Sequence, residues 1–403
     1  MEAISKKVYA YKVYNDSDGS YLTTWSTEVL SEPRFTSEIN GGPGQLKITL
    51  DREFEDFGEG DDVDLNNGVD VYVYDVDQPN GVILYSGYIS AYNPILDEGK
   101  EVLEIILLPH VAELGRYMLR ETNGNTQVVF SSQDPGNMFL GVLNRLQNDG
   151  SGLDGGQIDT TSTAVTYTFN TNTGKQAFDK CTELAPDGWY WTVDPDGKVN
   201  FKQKSSTIDH DLSIGEHIAS LESKKRIEGM VNRVYFTGGG DPPMYKVYER
   251  SGSIASYGLY AKKLVDQRVT VEATAEIMAT RILDQNEVPE TRLTMRIIDN
   301  NGGPQHGYDI ESINIGDVVR VKNIDYGSQS VSLWGLAQWD VDVWDHTLAS
   351  TAGSGLVVVR TVYTANYIDI ETSSRLPEVA KRIEDINRNL ENTQTVSNPS
   401  APS

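Results

Sequence analysis

The sequence predicts a mainly β chain with an α+β insertion: two β-barrel domains, a central α/β domain and a C-terminal helix. Three observations lead there. Short β-branched and aromatic runs bounded by turn residues fill the opening and later parts. Two helix-start signatures and an aromatic hairpin occupy the middle. An a/d-like apolar spacing follows the last strands.

The first domain is expected over residues 1–115. Val8-Tyr9-Ala10-Tyr11-Lys12-Val13-Tyr14, Val69-Asp70-Val71-Tyr72-Val73-Tyr74 and Val82-Ile83-Leu84-Tyr85 read as strands. Asp77-Gln78-Pro79-Asn80-Gly81 between the last two has chain-reversing chemistry, so a hairpin is expected. Gly87-Tyr88-Ile89-Ser90 and the run from Val102 to Leu108, closed by Pro109, add further strands. Several short strands separated by turns suggest a compact sandwich or barrel.

Residues 116–225 change character. Asp134 before Pro135 supplies a cap acceptor and a ring-fixed φ, and Met138, Val142 and Leu146 recur on one helical face. Thr173 and Gln176 have capping-box spacing, with Ala177, Phe178, Cys181, Leu184 and Ala185 as the apolar stripe behind them. Gly188-Trp189-Tyr190-Trp191-Thr192-Val193, the turn Asp194-Pro195-Asp196-Gly197 and Lys198-Val199-Asn200-Phe201 then form an aromatic hairpin.

Strands return in a second β domain at 226–372. Its elements include Val231 to Phe236, Thr291 to Ile298, Asp317 to Val321, Leu356 to Tyr363 and Tyr367 to Glu371. A helix over 272–286 interrupts them, with Ala275, Met278, Ala279 and Ile282 at helical spacing and Pro289 beyond its end. An aromatic loop insertion is expected at 334–354. In the final region, 373–403, Val379, Ile383, Ile386 and Leu390 repeat at 4-3-4 spacing over about two heptads. This reads as a self-associating or partner-docking helix, with a helix lying on its own domain as the alternative. The Ser/Asn/Pro-rich residues 392–403 read as disordered.

Composition narrows the function. The 403 residues hold 34 Lys plus Arg against 59 Asp plus Glu, a formal net charge of −25. Specific nucleic-acid binding is not expected, because that affinity rests on cations displacing counterions from phosphates. No apolar stretch approaches the roughly 18 residues of a membrane span. No charged-then-apolar leader follows Met1, so a signal peptide is not expected. Cys181 is the single cysteine; it reads as core filler and allows no internal disulfide or Cys-based zinc site.

Chemistry-bearing motifs are scarce. The sequence has no nucleophile elbow, phosphate loop, His-Glu-x-x-His or kinase signature, so no catalytic residue and no cofactor is expected. Among the five histidines only His210 and His217 suggest ligand spacing, and they read more simply as surface polarity. Glu59-Gly60-Asp61-Asp62-Val63-Asp64 is carboxylate-rich but lacks the calcium-loop pattern, and Asp75-Val76-Asp77 reads as turn formers. Trp334, Trp339 and Trp344 mark either an amphipathic strand packed inward or an aromatic contact for a protein partner or glycan.

Several segments together resemble the baseplate hub proteins of tailed bacteriophages, the tail-tip proteins related to late control proteins. They are Gly87-Tyr88-Ile89 after an acidic hairpin, the helix and aromatic hairpin from Thr173 to Phe201, and Tyr308-Asp309-Ile310-Glu311-Ser312-Ile313-Asn314-Ile315-Gly316-Asp317 before a late strand. The likeness covers most of residues 1–372, and its motifs are strand and turn patterns. It implies two similar hub-type β barrels flanking an α/β domain. It further implies a homotrimeric ring in which six barrels match the sixfold tail tube, with threefold symmetry offered to a central spike or fibre. The implied partners are the tail tube or distal tail protein and the tape-measure protein, in the virion tail tip. An acidic lumen would then let DNA slide during ejection. The alternatives are a glycan-binding or glycan-degrading tail protein, and a sixfold distal tail ring protein.

Overall fold

The computed structural model describes residues 7–52, 62–74, 80–97, 99–121, 123–299, 307–322 and 355–376. The first strands are β1 (Val8–Tyr14), β2 (Tyr21–Trp25), β3 (Phe35–Glu38), β4 (Leu46–Leu50), β5 (Gly68–Tyr74), β6 (Val82–Asp97) and β7 (Lys100–Pro109). Six of these form one antiparallel sheet in the order β2-β1-β5-β6-β7-β4. Its inner face follows the period-two pattern: Val69, Val71 and Val73 of β5 are buried and the residues between them are not.

This sheet curls until its two ends meet. After β2 the chain turns and runs beside β4, where Leu30 N donates to Thr49 O at 2.8 Å and Asp51 N donates to Glu28 O at 2.7 Å. One continuous segment therefore borders β1 and then β4. β6 is a single strand of 16 residues where the sequence suggested two, and a bulge between Ile89 and Ala91 bends it. Gly87 stands where a Cβ would run into the Leu108 carbonyl on β7, so only glycine lets the strands approach.

The middle of the chain holds a 3₁₀ turn (His110–Gly115), β8 (Gln127–Gln133), α1 (Pro135–Asn148), β9 (Asp154–Ile158), β10 (Val165–Asn170), α2 (Gly174–Leu184), β11 (Trp189–Val193) and β12 (Lys198–Gln203). Both helix starts have a local cause. Asp134 Oδ1 accepts from Gly136 N at 2.8 Å, and Asp134 Oδ2 accepts from Thr161 Oγ1 at 2.6 Å. Thr173 and Gln176 form both halves of a capping box: Gln176 N donates to Thr173 Oγ1 at 3.3 Å and Thr173 N to Gln176 Oε1 at 3.1 Å. Behind the helices Phe139 stacks on Phe178 at 4.0 Å and on Phe201 at 4.9 Å between ring centroids. Cys181 is buried in this same core.

The remaining elements are β13 (His210–Ser213), β14 (Ile218–Arg226), β15 (Arg233–Gly238), β16 (Tyr245–Glu249), α3 (Ser251–Tyr257), β17 (Ala261–Asp266), α4 (Glu272–Asn286), β18 (Glu290–Ile298), β19 (Val318–Lys322), β20 (Leu356–Tyr363) and β21 (Tyr367–Ser373). A second large sheet has the order β13-β19-β20-β21-β18-β14. Its end strands, β13 and β14, are consecutive in the chain, joined by a turn in which His217 N donates to Ser213 O at 3.0 Å. This sheet closes through one segment, as the first does.

Two placements depend on distant sequence. β3 joins the second sheet beside β20, with Phe35 opposite Tyr363 and Glu38 opposite Arg360. α4 packs Ala275 and Met278 into the core that holds α1 and α2, and the small sheet β16-β15-β17 adds Phe236 to it. Phe35 lies 5.4 Å from Tyr363 and 5.4 Å from Tyr85, ring to ring, and one apolar cluster runs from Val71 and Ile105 through to Leu293 and Ile370. The two barrels share a core.

Candidate functional surfaces

Val379, Ile383, Ile386 and Leu390, expected as a docking seam, and Trp334, Trp339 and Trp344, expected as a contact patch, lie outside the described residues. So do Glu59 to Asp61 and Asp75 to Asp77. Asp62 is described, and its Oδ1 and Oδ2 accept from Arg52 at 2.8 and 2.7 Å while Trp25 Nε1 donates to Oδ2 at 2.5 Å. It locks a loop against the first barrel.

The junction of the barrels carries a buried ionic cluster that sequence reasoning did not find. Lys7 Nζ lies 2.7 Å from Asp299 Oδ1 and 2.7 Å from Glu311 Oε1, with all three side chains at most 5% exposed. Tyr363 donates its hydroxyl to Glu311 Oε1 at 2.6 Å, and the Tyr9 and Tyr363 hydroxyls are 3.2 Å apart. Burial and the adjacent Glu311 charge push the Tyr363 phenol far above its usual range. No local pattern announces the cluster, because Lys7 and Glu311 are 304 positions apart.

Beside it a cleft of about 550 Å³ opens between the barrels and the β11–β12 hairpin, lined among others by Leu84, Asp194, Ile313, Asn314 and Tyr363. Burial pushes the Asp194 carboxyl above its ordinary value, with Asn200 and Lys202 pulling it back. Gly316 closes the wall nearby at φ +90°, and a Cβ there would overlap the Tyr190 hydroxyl.

Two histidine groups join residues far apart in the chain. Contrary to the surface reading, His210 is buried: its Nδ1 is 2.8 Å from Tyr308 Oη and its Nε2 is 2.9 Å from Asp317 Oδ2. His217 packs edge-on against the same Tyr308 ring and accepts from Ser213 N at 3.2 Å. The pair meets on a tyrosine, because β13 and the turn after it both face the segment before β19. Near the 3₁₀ turn, His110 Nε2 is 3.1 Å from Ser86 Oγ and its Nδ1 is 3.2 Å from Glu113 Oε1. The Ser86 hydroxyl hydrogen goes to Asp70 Oδ1 at 2.6 Å, so the serine is engaged as a strand-to-strand bond. Among the described residues no group of three or more His, Cys, Asp or Glu has metal-holding geometry, and no helix is long and apolar enough to cross a membrane.

No protein-family model matches the chain, and no curated protein sequence matches it. Solved structures do. The 43 kDa tail protein of prophage MuSo2 from Shewanella oneidensis superposes with a TM-score of 0.58 at 12% identity, covering 91% of this chain and 98% of that one. The prophage tail protein gp18 from Listeria monocytogenes EGD-e gives 0.56 at 11% identity, covering 95% and 99%. A tail protein from Neisseria meningitidis MC58 gives 0.56 at 12% identity, covering 91% and 97%. The chain has the mainly β fold of these phage tail proteins over nearly its whole length.

Proposed function

We propose that this chain is a structural protein of a phage tail tip: a baseplate hub whose three copies form a ring between the sixfold tail tube and a threefold central spike or fibre. The observation that carries this reading is the pairing of two corner-closed barrels on one shared core. Three chains with two barrels each offer six similar barrels to the tube above while remaining threefold below. The fold likeness to prophage tail proteins supports a place in the virion tail, next to tube, distal tail or tape-measure proteins. The net charge of −25 supports a channel wall to which DNA does not adhere. The role is one of scaffold rather than catalyst, with no cofactor required.

In this reading Val379, Ile383, Ile386 and Leu390 contribute self-association or partner docking, and the tryptophans at 334, 339 and 344 an outer contact. The expected divisions at 1–115, 116–225, 226–372 and 373–403 are kept for the terminal region, while β3, β13 and β14 are counted with the second barrel and β15 to β17 with α4 are counted with the α1–α2 core. The test is the mass of the full chain by light scattering, alone and after deletion of residues 373–403. A mass of about 134 kDa, three times the 44.6 kDa chain, is expected. Its loss on deletion assigns trimerisation to the terminal region. A hexamer would replace the hub with a distal ring, and a monomer with measurable binding to cell-wall glycans would replace it with a glycan-binding tail protein.

A further inference from the structure

Beyond the corner that closes the second barrel, β14 keeps one side unpaired. It pairs with β18 from Ile218 to Arg226, and among the described residues no strand lies along its other side beyond the turn from β13. Residues 222–226 are exposed on both faces of the strand. β2 is the corresponding edge of the first barrel: it pairs with β1 from Tyr11 opposite Trp25 to Tyr14 opposite Tyr21, and among the described residues no strand flanks its other side. Such unpaired edges are templates for adding a strand.

The charges on the two edges differ in sign. β14 runs out through Ser223-Lys224-Lys225-Arg226, a cationic run in a strongly acidic chain. β2 is entered through Asn15-Asp16-Ser17-Asp18, with Asp18 exposed. Two β14 edges brought together over this run set like charges against each other, which disfavours a twofold dimer. An antiparallel pairing of β14 with β2 has the opposite effect, because the end of one strand lies beside the start of the other. Among the described residues Lys224 pairs with Glu222 at 2.8 Å, both side chains about half exposed, and a surface pair of this kind gives way at little cost.

We infer that β14 takes the β2 edge of a second copy of this chain, antiparallel, with Lys224 and Arg226 against the neighbour's Asp16 and Asp18. One patch meets a different patch, so the contact propagates by rotation instead of ending at a dimer, and a rotation of one third of a turn closes it into the ring proposed above. The inference rests on the ring proposed above and names the surface that would build it.

Two measurements on the full chain test it. In the first, light scattering compares wild type with K224E/R226E and with that variant carrying D16K/D18K. The expected result is a threefold fall in mass on charge reversal and recovery when the acidic side is reversed as well. In the second, Lys224→Cys and Asp18→Cys are combined in one chain and oxidised; Cys181 is buried and does not compete. Disulfide-linked species of two and three chains on a non-reducing gel support the contact whatever the mass measured in dilute solution. If the charge-reversed protein stays at about 134 kDa, three times 44.6 kDa, and the cysteine pair does not link chains, this contact is overturned and the ring must use another surface. A monomeric wild type with no linked species overturns the ring and the contact together.

Discussion

Asp179 lies under Trp191, accepting the indole Nε1 hydrogen at 2.9 Å, with Lys175 Nζ 3.3 Å away one helical turn earlier. Burial raises its carboxyl from the ordinary 3.8 to about 6, against the opposing pull of Lys175 and the indole. A raised folded pKa means that the folded state holds the proton more tightly than the unfolded chain does. This residue therefore opposes folding above pH 6, and its penalty is relieved as pH falls from 6 towards 4. Asp179→Asn, which still accepts from Trp191, should flatten that part of the curve of melting temperature against pH; an unchanged slope would assign it to other groups. Asp211 has the opposite sign. Held by Arg320 at 2.5 and 2.6 Å, its carboxyl is lowered to about 2, so its contribution is present above the ordinary value of 3.8 and is lost as pH falls through 2. Gly316→Ala combines a disfavoured positive φ with overlap on the Tyr190 ring, and should lower the melting temperature by more than an ordinary surface change. Of these residues Tyr190 and Trp191 were readable in advance as part of the aromatic hairpin, whereas the role of Asp211 was not, because its partner Arg320 lies 109 positions away.

At the scale of elements, α1, α2, α4 and the β11–β12 hairpin were legible because their causes are local. In α1 and α2 a capping residue, a Pro or Gly in the first turn and an apolar stripe all sit within one element, while α4 is carried by its stripe and the hairpin by its turn. The stripe of α1 also fixes a test. Phe139 stacks on both Phe178 and Phe201, so Phe139→Ala leaves a void between two rings and should cost about 3–5 kcal/mol in chemical denaturation. Asp134→Ala removes the acceptor for Gly136 N and Thr161 Oγ1, and should cost about 1 kcal/mol or somewhat more by the same measurement. What stayed illegible was pairing. Phe35-Thr36-Ser37-Glu38 has too little alternation to read as a strand, and its partner lies on β20. β13 and β14 were likewise invisible as the corner of a barrel, since their short polar sequences acquire meaning only from the sheet they close.

At the scale of the whole molecule, the two barrels are bound by an apolar core and by the Lys7 cluster. Removing the cation leaves two carboxylates out of water with no counter-charge, so Lys7→Met should destabilise the chain by about 3–5 kcal/mol. Replacing Lys7 by Arg should recover only part of this, because the larger guanidinium does not fit a site that encloses an ammonium. Denaturation of both variants by urea checks the order. The fold class was readable from strand patterns, and the resemblance to hub proteins from their sequence order. The shared core was not readable, because it joins residues of β1 to β7 to residues of β13 to β21 far along the chain.

The placement of β3 has a consequence in time. A ribosome delivers Glu38 long before Arg360, so β3 waits through most of synthesis for the strand it pairs with. The first barrel can close early, since its six strands arrive together, while the second stays open until β20 appears. A product truncated before β20 would thus carry the first sheet with β3 unpaired and the shared core incomplete. Only a chain made through β20 pairs that strand, so the seam between the two barrels is sealed near the end of synthesis.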